Sequence, residues 1–115
     1  MKIIFEEEFL LSLKNQVHFI SKDKPRAARK FKSDLIKNLQ KDLKHPFHYK
    51  KSIYFNDENI RDYVFKGYVS VYKIDVKNNL IIVFGFIKYK QSLKPNMPRI
   101  LAITYELQIN RNKIL

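Results

Sequence analysis

Residues 59–90, NIRDYVFKGYVSVYKIDVKNNLIIVFGFIKYK, decide the fold. β-Branched and aromatic side chains fill three runs, IRDYVFKG, YVSVYKID and LIIVFGFIKY, with a hairpin at Gly67-Tyr68, Lys66 sitting at its turn, and a second turn at Lys77-Asn78-Asn79. Such side chains pack well on a pleated surface, and Gly and Asn supply the turn conformations, so the segment predicts antiparallel hairpins. The last run is apolar through Ile87 and then changes abruptly to Lys88, Tyr89 and Lys90. A core strand thus ends on a phenol between two ammonium groups.

Upstream of this segment the periodicity changes from two to nearly four. Lys2 to Phe5 reads as a short strand, and Glu6, Glu7 and Glu8 suit the first turn of a helix, where carboxylates meet the positive end of the dipole. Phe9, Leu13, Val17 and Ile20 then share one helix face. SKDKPRAARK interrupts that pattern, with Asp23 as the expected N-cap and Pro25 in the first turn of a second helix. Phe31, Leu35, Leu39 and Leu43 form the apolar stripe of this helix, while Arg26, Arg29, Lys30, Lys32, Lys37 and Lys41 outnumber Asp34 and Asp42 on its other faces. HPF stops it at Pro46, and SIYF, residues 52–55, reads as another strand before the turn NDEN.

This order predicts an α+β fold, two N-terminal helices packed on one face of a small antiparallel β-sheet. Residues 1–91 make the core and 92–115 a C-terminal extension of one domain, since 115 residues suffice for one sizeable core but not two. In the extension Leu101, Ile103, Tyr105, Leu107 and Ile109 alternate like a strand. Asn96 before Pro98, and the helix formers Leu, Ala, Glu and Gln, point instead to a helix, which we expect.

Composition narrows the function. A formal charge of +12 on 115 residues attracts polyanions and steers their approach, although a solvated lysine coat gives the same count. The chain has no cysteine, which excludes disulfides, zinc ribbons and thiol nucleophiles. Glutamates interrupt the apolar start, and no later run is long enough to span a bilayer, so we expect a cytoplasmic protein without a membrane partner.

The order and local motifs resemble the RelE/ParE superfamily of type II toxin–antitoxin toxins. The matching pieces are FISKDKPRAARKF at the helix junction, HPF, NIRDYVFKGYVSVYKI and LIIVFGFIKYKQ, together covering about residues 1–91. The resemblance implies a small basic toxin neutralised by a cognate antitoxin, whose acidic segment would lie over the groove between helices and sheet. The RelE-like branch cleaves mRNA on the ribosome, and the ParE-like branch poisons DNA gyrase without nuclease activity. FGFIK at 84–88 is similar to the HigB-like mRNA cleavers, whereas DKPRAARKF is closer to ParE. Ribosome-dependent mRNA cleavage is the expected activity, with gyrase inhibition, or a degenerate nucleic-acid-binding member, as the alternative.

Cutting RNA through its own 2′-hydroxyl needs a proton acceptor, positive charge for the phosphorane and a proton for the leaving oxygen. Neither cofactor nor metal is required, and His45 and His48 have no nearby carboxylate or cysteine to complete a metal set. By resemblance Arg61 and Lys88, Tyr89 and Lys90 fall in the catalytic region, as a metal-independent endoribonuclease would need. Alternation, however, sets Tyr89 opposite Lys88 and Lys90. His48, Tyr49, Lys50, Lys51, Lys66 and Arg99 are the expected nucleic-acid-binding residues, with Tyr49 able to stack on a base. Arg61 also admits a plainer role, in an ion pair with Asp62 or as a brace between the sheet and a helix. The chain departs from the RelE-like pattern at Val69, where that branch has arginine, and Arg99 and Tyr105 are its candidates for the late basic group and tyrosine of that branch.

Overall fold

A computed structural model describes residues 1–88. The elements are β1 (Lys2–Phe5), α1 (Glu7–Ser21), α2 (Pro25–Asp42), a 3₁₀ turn (Pro46–His48), β2 (Ile60–Phe65), β3 (Tyr68–Asp75) and β4 (Leu80–Lys88). The fold is α+β, with the four strands in the order β1-β4-β3-β2. Tyr89, Lys90, Arg99 and the expected C-terminal helix lie outside the described residues.

The predicted hairpins are present. Lys66 and Gly67 connect β2 to β3 with φ of 49° and 81°, and positive φ at both central positions suits the right-handed twist of the flanking strands. The second connection closes on Asp75, whose carboxylate accepts hydrogen bonds from the backbone and side chain of Asn78.

The expectation of a purely antiparallel sheet is corrected. β1 pairs in parallel with β4, from Lys2 opposite Leu80 to Phe5 opposite Val83. The Glu6 N–H donates to the Val83 carbonyl at 2.9 Å, so α1 starts on the central strand. SIYF is also corrected, because residues 52–55 form no strand and only Lys51 bridges to Arg61. Nor does Asp23 cap α2; Lys24 stands at the N-cap without a side-chain hydrogen bond, and Pro25 opens the helix.

Both helices cover one face of the sheet. Phe9 and Leu13 of α1, with Phe31, Leu35 and Leu39 of α2, are buried against Tyr63, Tyr72, Ile74, Ile81, Val83 and Phe86. Each such leucine or phenylalanine contributes about 1.5–3 kcal/mol by leaving water, which is how the helical periodicity becomes tertiary structure. Val17 and Ile20 pack at the margin of the same cluster. On the opposite face Ile60, Val69, Val71, Phe84 and Ile87 pack with Tyr54 and Phe55. SIYF is therefore core without being strand.

A bulge sets the phase of β4. Val71 of β3 faces Gly85, and Tyr72 faces Val83, so Phe84 and Gly85 together oppose one residue. The extra residue returns Phe86 to the helix side, where its ring stacks on Tyr68 at 5.2 Å and meets Phe9 edge-on at 5.8 Å. Ile87 then belongs to the far-face cluster, and alternation directs Lys88 to the helix side.

Candidate functional site

Among the described residues, the basic and aromatic candidates named for the site gather at two separate ends of the sheet. At one end, α2 runs into His45 and the turn Pro46–His48, and the chain then pairs briefly with the outer edge of β2. The Asp62 N–H donates to the Lys50 carbonyl at 3.1 Å, and the Ser52 N–H to that of Ile60 at 2.8 Å. These bonds bring His48, Tyr49, Lys50 and Lys51 alongside Arg61.

Arg61 holds this corner together. Its Nε donates to the Glu58 carbonyl at 2.8 Å, one of its terminal nitrogens donates to the Tyr49 carbonyl at 2.9 Å, and its guanidinium lies 5.3 Å from the centre of the Phe47 ring. Two tyrosines assist from the helix side. The Tyr72 hydroxyl donates to the Pro46 carbonyl, and the Tyr63 hydroxyl donates to Asp42 Oδ2 at 2.5 Å. No ion pair links Arg61 to Asp62, because neighbouring strand residues point to opposite faces. The Asp62 carboxylate instead accepts the Ile53 N–H at 3.1 Å.

The loop so held borders two open cavities. One, of about 430 Å³, is lined by His48, Tyr49, Lys50, Lys51, Asp62 and the apolar Ile53, Val64 and Val69. The other, of about 410 Å³, lies between Lys41, Asp42, Lys44, His45, His48 and Tyr49. Burial, then the Asp42 carboxylate, push the Tyr49 phenol above its ordinary value. At neutral pH it is a hydrogen-bond donor, or a face for stacking, and not a base. Lys51 is held by Glu58 at 3.6 Å and Asn56 at 3.2 Å.

Lys88 and Lys66 occupy the other end. Lys88 pairs with Tyr68, whereas Arg61 pairs with Tyr72 and through it with Val83. The Arg61 and Lys88 backbones are therefore separated by about 13 Å along the strands and about 10 Å across them. With its guanidinium tied to Tyr49 and Glu58, Arg61 does not share one phosphate with Lys88. Lys66 lies 4.0 Å from Asp34 of α2 and over the Phe65 ring, away from Lys50 and Lys51.

Sequence reasoning missed Asp42, Asp62, Tyr63 and Tyr72. Burial pushes the Asp62 carboxyl above its usual range, against hydrogen bonds from Ser52 and the Ile53 amide that lower it. The fold thus favours the neutral acid, and this group's contribution to stability is full below the ordinary value of 3.8 and lost as pH rises through the raised folded value. Asp62→Asn removes that loss. Urea denaturation is expected to show the variant gaining on the parent between pH 3 and pH 7, and an unchanged difference between the two pH values would disprove the assignment.

A family profile described as "ParE toxin of type II toxin-antitoxin system, parDE" matches residues 3–92. No curated protein sequence matches the chain.

Proposed function

Because the chain belongs to the ParE toxin family, within the RelE/ParE superfamily of type II toxins, we propose that it arrests growth by inhibiting DNA gyrase and not by cutting mRNA. A toxin of this type has a cognate antitoxin as its partner. The observation that carries the choice of target is the engagement of Arg61. The one arginine of the expected catalytic set is committed to two backbone carbonyls, and it is far from Lys88. A phosphorane needs its cations converging on one point, and these two do not converge. A protein target asks for something else, namely exposed apolar anchors. α1 offers them, with Leu11 54% and Phe19 64% exposed and about two turns apart on one side of the helix.

Ribosome-dependent mRNA cleavage keeps one observation in its favour, the grouping of His48, Tyr49, Lys50 and Lys51 around the 430 Å³ cavity. Those residues could hold and stack on RNA, with Tyr49 donating a proton. Two assays separate the readings. Purified toxin is expected to abolish gyrase supercoiling in proportion to dose, and primer extension on translated mRNA after induction is expected to show intact transcripts. Unimpeded supercoiling at excess toxin, accompanied by cuts at a fixed codon position, would replace the gyrase reading with the nuclease one.

A further inference from the structure

We propose that the outward face of α2 is a docking surface for the phosphate backbone of duplex DNA, independently of which target the toxin poisons. At 3.6 residues per turn, Arg26, Lys30, Lys37 and Lys41 fall within an arc of about 60°, directly opposite the buried stripe of Ala28, Phe31, Leu35 and Leu39. All four cations are exposed, and they span about 22 Å of helix axis, with Arg29 on one flank and Lys44 continuing the line.

Of the helix's own acids, Asp42 lies on the buried side and Asp34 borders the stripe, about 20° beyond Lys41. Asp34 is turned towards Lys66 at 4.0 Å, and Asp42 accepts the Tyr63 hydroxyl. Asp23, just before the helix, is exposed but lies between Lys22 and Lys24. Among the described residues no ion pair joins an α2 cation on the outward face to a carboxylate.

The chemistry of the face selects its occupant. Protein partners are held by apolar and aromatic anchors, and none of the exposed large hydrophobic residues belongs to α2. Single-stranded nucleic acid is held by bases stacking on aromatics between the cations, and the one aromatic of α2, Phe31, is buried. A line of cations without anchors or stacking surfaces fits a rigid array of phosphates. An α-helix about 10–12 Å across matches the major groove of B-DNA, about 12 Å wide, whereas the deep, narrow groove of A-form RNA does not admit it.

The test is fluorescence polarisation of the purified full-length chain with a labelled DNA duplex of arbitrary sequence, across a salt series. Lys30→Ala/Lys37→Ala/Lys41→Ala is compared with Lys2→Ala/Lys73→Ala/Lys77→Ala, which removes equal charge from the far face and its turn, circular dichroism confirming that both are folded. The α2 triple is expected to lose at least tenfold in affinity and to flatten the slope of log K against log salt by about 2–3, since each phosphate contact contributes about 0.9. The control triple is expected to retain most of both. Equal losses in the two triples would reduce the effect to net charge and overturn the proposal, and so would tighter binding of a single strand or an RNA duplex of equal charge.

Discussion

Arg61→Ala is expected to lower the unfolding free energy by about 2–4 kcal/mol in urea denaturation. Hydrogen bonds from a charged donor contribute about 1.5–3 kcal/mol each, and the partial exposure of this corner keeps the sum towards the low end of two such bonds. The guanidinium over the half-exposed Phe47 ring adds about 0.5–1 kcal/mol. Arg61→Lys is expected to recover less than half of the loss, because one ammonium cannot reach both the Glu58 and Tyr49 carbonyls from the fixed fork that Arg61 supplies. Toxicity then falls with stability and returns when the fold is stabilised by other means. A catalytic Arg61 behaves differently, with toxicity abolished in Arg61→Ala at unchanged stability, and that result would return the residue to the chemistry.

The reason the sequence points at Arg61 without revealing its role is physical. Charge and strand position are local, and both are visible in IRDYVF. The partners of the guanidinium are carbonyls of Glu58 and Tyr49, and a carbonyl carries no residue identity, so no pattern marks it. The same distinction runs through the fold. α1 and α2 are legible because burying one side of a helix forces Phe9 and Leu13, then Phe31, Leu35 and Leu39, into spacings of about four. β2, β3 and β4 are legible because alternation and two tight turns fix neighbouring strands together. β1 is legible as a strand but not in its partner, since parallel pairing with β4 involves no local turn. SIYF misleads because Ser52 and Tyr54 are buried and Ile53 is exposed, an alternation that a packed loop produces as readily as a strand.

The far-apart placement of the candidate residues has the same origin. Lys50, Lys51, Lys66 and Lys88 look equivalent as basic residues beside aromatics. Register divides them, putting Lys88 across from Tyr68 and Arg61 across from Tyr72. The corner around Arg61 is a built structure of loop, strand and tyrosine hydroxyls. The end around Lys66 and Lys88 is a hairpin tip, and its cations lean on Asp34 and Phe65 or face solvent.

Phe86→Ala is expected to cost about 3–5 kcal/mol, the range for truncating a buried phenylalanine, with thermal and urea unfolding as the measurement. The loss exceeds that of a single contact because the Phe86 ring meets three others, Tyr68 stacked at 5.2 Å, Phe9 edge-on at 5.8 Å and Phe31 tilted at 6.4 Å. These rings tie β3, α1 and α2 to the central strand at once, so the cavity left behind has walls on three elements and closes poorly. Against a typical total of about 5–15 kcal/mol, the variant is marginal at growth temperature. The position of the ring depends in turn on Phe84 and Gly85 together opposing Val71. Deleting Gly85 removes the extra residue, and strict alternation from Val83 then leaves Phe84 on the far face and Phe86 and Lys88 on the helix side. That deletion is therefore expected to cost less than Phe86→Ala. A deletion variant less stable than Phe86→Ala would show that the bulge does more than set the phase of β4.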